Sequence, residues 1–425
     1  MRLGYYAHHH GSGHCRQIDK LAALLPTKAK KQLTVFTSLT PDTYTFTSID
    51  EKQIVRLYAE DERAEDVLVG RAGEHWQPAS LHYSPVGNSD IQQRSHQILD
   101  TIYQRQIDVM IIDVSVEVAM LCRAASIPYL YVRLPGVRDD APHLNAFAGA
   151  LALLAPYPRP LESALTPEWV GKKTLYLDFI NTEQRTQQTY PDFIKELKAL
   201  TTDKQALSLI TEDKNKNAPS IITVIKGYGG HKAIDAKLPE LRRLLPNALI
   251  ISLGPIDDEK RSYVDIATQV SDVTPFIEHS DYLLMACGLN AVAQAYDYAT
   301  PLVVLPDERP HQEQEVMAQA LIHEGRAFSW QQFKTVMSED AKTKPDGLFV
   351  SQSANQPVNQ TDNQAANQSA PANLVSKSYS TDSTVLNQDG TPAAQAFMLS
   401  MTQYPTTKTW FENWLLPRLE LKPAS

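Results

Sequence analysis

Cysteine is scarce in this 425-residue chain: Cys15, Cys122 and Cys287 stand far apart, without the close pairs that zinc sites use. An odd and widely spaced set excludes a disulfide scaffold and fits a reducing compartment. Positive charge is also in short supply. Forty Lys and Arg face 49 Asp and Glu, a formal net charge of -9, which argues against a nucleic-acid partner because neutralising phosphates takes a basic surface. No run approaches the roughly 20 apolar residues of a membrane span, and nothing that reads as a signal peptide precedes Leu3. These absences lead to the expectation of a cytoplasmic protein, with room for peripheral contact at the inner face of a membrane. No internal repeat of solenoid period is present.

What the chain does have is apolar residues at 43% and charged residues at 21%, the balance of a packed globular protein, over a length that favours two domains. Its most organised stretch is 281–321. Residues 282–286 are a short apolar run that reads as a buried strand, Gly288 opens a turn, and Asn290 stands where a helix N-cap belongs. The helix carries Ala291, Val292, Ala295 and Tyr298, breaks at Thr300-Pro301 and gives way to a second apolar run, 302–305, with another helix starting near Gln312. This is a βαβα unit of a parallel sheet, whose ligands bind beyond the carboxyl ends of the strands. A strand, a glycine turn and a helix N-terminus together make an anion site.

The amino-terminal half repeats that logic. Strand 3–7 runs into His8-His9-His10-Gly11-Ser12-Gly13-His14, and a helix with Ile18, Leu21, Ala22, Leu24 and Leu25 ends at Pro26. Gly11 and Gly13 allow a tight turn with open amides, which leaves His14 at the helix start and His10 expected to line a cleft. On residues alone this is equally a plain flexible turn. Strands are expected at 33–37 and 54–58 and a helix at 91–103, while 59–90 is uninformative. Residues 109–112 are the best central strand of this half, ending at Asp113, with Glu117 on the same turn. Asp113 either accepts the second N–H of His14 or caps the following helix, and the sequence leaves both open. Glu117 is the natural substitute. The apolar run 144–155, with Phe147, Leu151, Leu153 and Leu154, reads as a core helix or as an apolar face for a hydrophobic acceptor. Pro156, Pro158 and Pro160 mark the way out of the first domain. The second domain opens weakly at 174–180 and clearly at 221–225. That strand ends in Lys226-Gly227-Tyr228-Gly229-Gly230-His231-Lys232, another anion-binding design unless it is an ordinary strand-to-helix turn.

Gly288-Leu289-Asn290, Thr300-Pro301, Leu305-Pro306, Glu313-Gln314 and Ala318 together resemble the donor-binding segment of GT-B glycosyltransferases. The pattern is similar to the group of the bacterial peptidoglycan N-acetylglucosaminyltransferase and the UDP-glycosyltransferases. It departs from many relatives in having Gln294 where a ribose-gripping Glu is common, and in following Gln314 with Met317-Ala318 rather than Asn-Ala. The resemblance implies an α/β chain of two Rossmann-like domains facing a cleft, the acceptor domain at 1–172 and the nucleotide-sugar domain at 173–337. It also implies roles: His14 as base on the acceptor hydroxyl, Asp113 as its partner, and Gly11, Ser12, Gly13 and Glu117 on the acceptor side. Gly229 and Gly230 would lie near the donor diphosphate, Phe276 in the connection that reads the base, Gly288 and Asn290 at the helix end, and Gln294, Glu313 and Gln314 near ribose and sugar hydroxyls.

The expected activity is transfer of a sugar from a nucleoside-diphosphate sugar, UDP-linked by resemblance, to an acceptor hydroxyl that includes lipid-linked or hydrophobic candidates. No cofactor is expected. No Asp-x-Asp pair occurs, so metal independence is expected too. Two alternatives share the fold: a UDP-sugar 2-epimerase, and a non-catalytic nucleotide-sugar-binding protein. Residues 338–392, dominated by Gln, Asn, Ser, Thr and Ala, should form a mobile insertion. Residues 393–425, with Trp410, Phe411 and Trp414, should form a helix bracing the first domain.

Overall fold

The computed structural model describes residues 2–8, 12–23, 25, 27–60, 64, 66, 78–179, 186–214, 218–226 and 231–343. His10, Gly11, Gly229, Gly230 and the expected helix at 393–425 lie outside these residues, as does most of the expected insertion. Two sheets organise what is described, and every strand pair in both is parallel. The first contains β1 (Leu3–Tyr6), β2 (Leu33–Thr37), β3 (Ile54–Arg56), β4 (Val109–Asp113), β5 (Tyr129–Val132), β6 (Ala152–Ala155) and β7 (Thr174–Tyr176), in the order β3-β2-β1-β4-β5-β6-β7. The second contains β8 (Ile221–Ile225), β9 (Leu249–Leu253), β10 (Ile266–Thr268), β11 (Tyr282–Met285), β12 (Leu302–Val304) and β13 (Ala327–Ser329), in the order β10-β9-β8-β11-β12-β13. These are two doubly wound domains, and in each the chain crosses from one side of the sheet to the other at the strand pair β1/β4 or β8/β11.

Strands buried on both faces need apolar residues at consecutive positions, which is why β1, β2, β8 and β9 are buried throughout. Successive side chains still go to opposite faces. Leu3, Tyr5 and Ile111 join the helix Gly13–Ala23 through Cys15, Ile18, Leu21 and Ala22 on one face, while Tyr6, Met110, Ile112 and Phe147 pack on the other. Each such aliphatic side chain contributes about 1.5–3 kcal/mol of transfer free energy before ordering entropy is subtracted. Close packing also fixes a residue type. A Cβ on Gly4 would stand 2.2 Å from the Met110 sulfur, so a larger residue there would require the Met110 side chain to move.

Four expectations change. The weak strand near 174, assigned from sequence to the second domain, pairs with β6 as the edge of the first sheet, Leu154 opposite Leu175. The prolines at 156–160 lead into a crossover that returns through the helix Glu168–Lys173 rather than out of the domain. The run 144–155 is not one element: Asp140 caps a helix, Ala141–Gly149, and the remainder is β6, with Phe147, Leu153 and Leu154 buried. Finally, the helix Trp330–Thr343 continues past residue 338, where the low-complexity segment was expected to begin. Among the described residues no helix is long and apolar enough to cross a membrane.

The domains meet through backbone as well as side chains. Gly136 has φ +114°, a value that L residues rarely adopt, and a Cβ there would lie 2.5 Å from the His311 carbonyl oxygen of the second domain. The same carbonyl accepts the Val137 N–H at 2.7 Å. Gly136→Ala should therefore cost about 1–3 kcal/mol through strain and clash and loosen the junction. A larger radius of gyration in small-angle scattering and a lower denaturation midpoint are expected; unchanged values in both would contradict this account of the junction.

Candidate functional site

Between the carboxyl ends of the two sheets lies a cleft of about 1080 Å³, lined from both domains. The first domain contributes His14 and Asp113, and the second contributes Asn290, Glu313 and Gln314. Period-2 alternation in β4 places Asp113 on the same face as Ile111, the face on which the helix Gly13–Ala23 packs. His14 sits in the first turn of that helix, whose start is closed by the Ser12 carbonyl accepting the Arg16 N–H at 2.9 Å. The two side chains meet: His14 Nδ1 lies 3.0 Å from Asp113 Oδ2.

The cap reading of Asp113 gives way here. Ser115, not Asp113, caps the helix Val116–Ala124, its side chain accepting the Val118 N–H at 3.2 Å. Asp113 is thus free for the imidazole. Buried Tyr5 donates its hydroxyl to the same Oδ2 at 3.0 Å, and Asp113 Oδ1 is buried with no hydrogen-bond partner among the described residues. Burial and the Asp113 charge push the Tyr5 phenol well above its ordinary value, so it remains a donor. At His14, burial pulls the pKa down, but the charge and hydrogen bond of Asp113, helped by Glu313, carry it above the ordinary 6.5. With Nδ1 tied to Asp113, Nε2 is the nitrogen left to exchange a proton with a ligand.

Other expected residues are placed as follows. Gly13 faces Asn290, whose Nδ2 lies 3.5 Å from where a Gly13 Cβ would be, so the glycine turns of the two halves are neighbours. Asn290 is not the N-cap; Gly288 is, and the helix is Leu289–Ala295. Gln314 accepts the Asp307 N–H at 2.9 Å and stands 4.0 Å from a Gly288 Cβ position, which fixes the 306–314 loop against the turn. Glu313 reaches across the cleft to Arg138 at 3.3 Å. Burial raises its pKa above the usual carboxylate value, although Arg138, His14 and Arg309 oppose the shift. Glu117 lines the cleft and accepts the backbone N–H groups of His82 and Tyr83, each at 2.9 Å, so it braces the loop at 82–83 rather than standing in for Asp113.

Among the described residues, Ser12 and Gly288 adjoin the cleft without lining it, and two expected residues stand further from it. Phe276 is fully buried in the second domain's core, its ring 5.3 Å from Phe193. Gln294 lies half-buried near the end of its helix, outside the cleft lining. Lys226, expected beside a phosphate, is sequestered: its Nζ lies 2.6 Å from Asp235 Oδ1 and both side chains are buried.

Comparison with known proteins gives the architecture its name. The chain matches the glycotransferase of kitacinnamycin with TM-score 0.50 and 12% identity, covering 81% of this chain and 91% of that one. It matches the spinosyn forosaminyltransferase SpnP with TM-score 0.51 and 11% identity, covering 80% and 91%. The chain has the GT-B fold. A curated relative, an uncharacterized glycosyltransferase of Methanosarcina acetivorans, is 30% identical over 113 residues, 25% of this chain and 30% of that protein, so the match spans less than a third of the relative. No protein-family model matches the chain.

The GT-B cleft also holds residues that sequence reasoning left unassigned. Arg138 and His143 line it from in or next to a stretch read only as a charged turn, with Asp140 between them outside the lining, and His82 and His311 line it from segments without periodicity. Only Asp140-x-x-His143 left a local signal, an N-cap followed by a polar residue one turn on. Left-handed backbone marks the rim as well: the non-glycine residues Val114, Cys287, His311 and Gln312 have φ of 57°, 59°, 59° and 53°, the kind of strain that collects at ligand sites.

The dyad has a direct test. Because Asp113 stabilises the imidazolium, an NMR titration of His14 should give a pKa above 6.5 that falls in Asp113→Asn. The sign for stability follows: this contribution is complete below the unfolded pKa and is lost as pH rises through the folded one. An unaltered His14 titration in Asp113→Asn would remove the carboxylate from the site.

Proposed function

We propose that this protein is a glycosyltransferase that moves a sugar from a nucleoside-diphosphate sugar, UDP-linked on the resemblance of its donor segment, to an acceptor hydroxyl. The observation that carries the reading is the His14–Asp113 pair at 3.0 Å, facing Asn290, Glu313 and Gln314 across one cleft. His14 Nε2 accepts the acceptor proton as the hydroxyl oxygen bonds to the anomeric carbon, and the bond from that carbon to the diphosphate oxygen breaks. Asp113 holds the ring in the tautomer that offers Nε2 and stabilises the imidazolium as it forms. Glu313 and Gln314 are placed for sugar hydroxyls. The start of the helix behind Gly288, with the backbone amides of the glycine turns, favours the charge developing on the leaving diphosphate. Since no Asp-x-Asp pair occurs, the proposed transfer is metal-independent. The acceptor side remains open to lipid-linked or other hydrophobic hydroxyl compounds, with peripheral membrane contact as part of the same proposal.

A second reading has its own observation. Arg138, Arg309, Glu117 and Glu313 share the cleft, the mixture of cationic and acidic groups that a UDP-sugar 2-epimerase requires. Interconversion of the UDP-sugar in the absence of any acceptor would mark that activity.

Binding should be scored first, by thermal shift with a panel of nucleoside diphosphates and their sugars, and turnover then followed with acceptor alcohols. His14→Ala is expected to lower kcat by about 10²–10⁴, the usual worth of a positioned general base, while nucleotide affinity stays within about twofold. Parallel loss of affinity and rate would show His14 to be a binding or structural residue instead.

A further inference from the structure

Away from the His14–Asp113 pair, three imidazoles converge on one carboxylate. His82 Nε2 lies 3.1 Å from Asp140 Oδ1, His143 Nδ1 lies 2.8 Å from Asp140 Oδ2, and His311 Nδ1 lies 3.7 Å from the same oxygen. The ring centroids are 4.5–5.6 Å apart. One ligand-type atom from each of the four residues falls within 4.8 Å of all the others. Three come from the first domain and His311 from the second. We infer that these four side chains form a binding site for one zinc-class transition metal ion, a clip across the domain junction.

The geometry is of the right size. With metal–nitrogen distances near 2.0–2.1 Å, tetrahedral ligand atoms stand about 3.3–3.5 Å apart, and the contacts with Asp140 bracket that separation. Three imidazoles and a carboxylate suit zinc, cobalt or nickel rather than magnesium or calcium, which favour oxygen cages. Four protein ligands leave no open position, the arrangement of structural rather than catalytic zinc. The site therefore asks nothing of a transfer reaction that proceeds without metal, and it stands independently of that reading.

Hydrogen bonds alone account poorly for the third histidine, since 3.7 Å is beyond hydrogen-bond reach. The neighbour to displace is Arg138, whose Nη1 lies 3.1 Å from His143 Nε2. Ligation through Nδ1 moves the His143 proton to Nε2, and the guanidinium then gives up that contact, keeping Glu313 and the Pro135 carbonyl, each at 3.3 Å.

The test uses the full chain, stripped with a chelator and titrated with zinc by calorimetry, with cobalt absorption reporting geometry. One zinc per chain, a tetrahedral cobalt spectrum and a melting temperature that climbs with zinc concentration are expected. His82→Ala and His311→Ala, both at partly exposed positions, should each weaken binding by at least about 100-fold, above the range for outer-shell changes. The run His8-His9-His10 is the competing binder, so a variant with all three changed to Ala must keep the metal. Failure of the unaltered protein to bind one zinc, or binding that survives both single substitutions, or binding lost with the 8–10 run, overturns the inference.

Discussion

The register between β1 and β4 is the constraint on which the site depends. Tyr5 pairs with Ile111 and Tyr6 with Ile112, so Tyr5, Ile111 and Asp113 share one face, the face that receives the next helix. A slip of one residue would carry Asp113 to the side of Tyr6 and Ile112, away from His14. In the observed register Gly4 lies close against Met110, where an added Cβ would stand 2.2 Å from the sulfur. The dyad is thus the upper end of a core arrangement. Its polar atoms are held by the same apolar contacts that hold the sheet, with Tyr5 running through the core to meet Asp113.

The second domain repeats the design with a different outcome. β8 and β11 occupy the positions of β1 and β4, but the ion pair of Lys226 with Asp235 lies buried beneath the crest. Truncating one partner of such a pair would leave an unmatched buried charge, at a cost of about 3–5 kcal/mol. Lys226 is therefore a structural cation. Glu313 and Gln314 remain at the cleft because the 306–314 loop is fixed at its own backbone, Gln314 to Asp307 and Asp307 to the Ala233 N–H at 2.7 Å.

Much of this was legible in the sequence where one physical cause dominated. Strand 221–225 and the run ending at Asp113 are uninterrupted apolar stretches bounded by turn residues, and both were placed. His14 and Asp113 were legible as neighbours because each closes or follows a strand that burial on both sides makes recognisable, while the sequence left open whether Asp113 pairs with His14 or caps the next helix. Legibility ended where a choice depended on neighbours distant in sequence. The strand at 174 is short, and it belongs to the first sheet only because β6 offers it a partner. Phe276 reads the same whether it faces a ligand or Phe193. Ser115 and Asp113 are both good caps, and only the path of the backbone through Val114 at positive φ decides between them. Arg138, His82 and His311 carry no periodicity, since each reaches the cleft from an irregular segment, while His143 sits in the first turn of the helix Ala141–Gly149.

The interplay of His14 and Glu313 shows why the cleft has to be considered as one electrostatic unit. Each is raised in pKa for a different reason: His14 by its own carboxylate partner, Glu313 by burial. Each also stabilises the charged form of the other. Arg138, opposite Glu313, sits on the first domain and also touches the Asp140 cluster through His143. A ligand group that takes Glu313 would compete with Arg138, and a cation that takes His143 would displace Arg138 from it. One guanidinium thus stands between both events. Its Nη2 meets Glu313 of the second domain while its Nη1 meets His143 of the first, so the same side chain that ties the domains together also borders the histidine cluster.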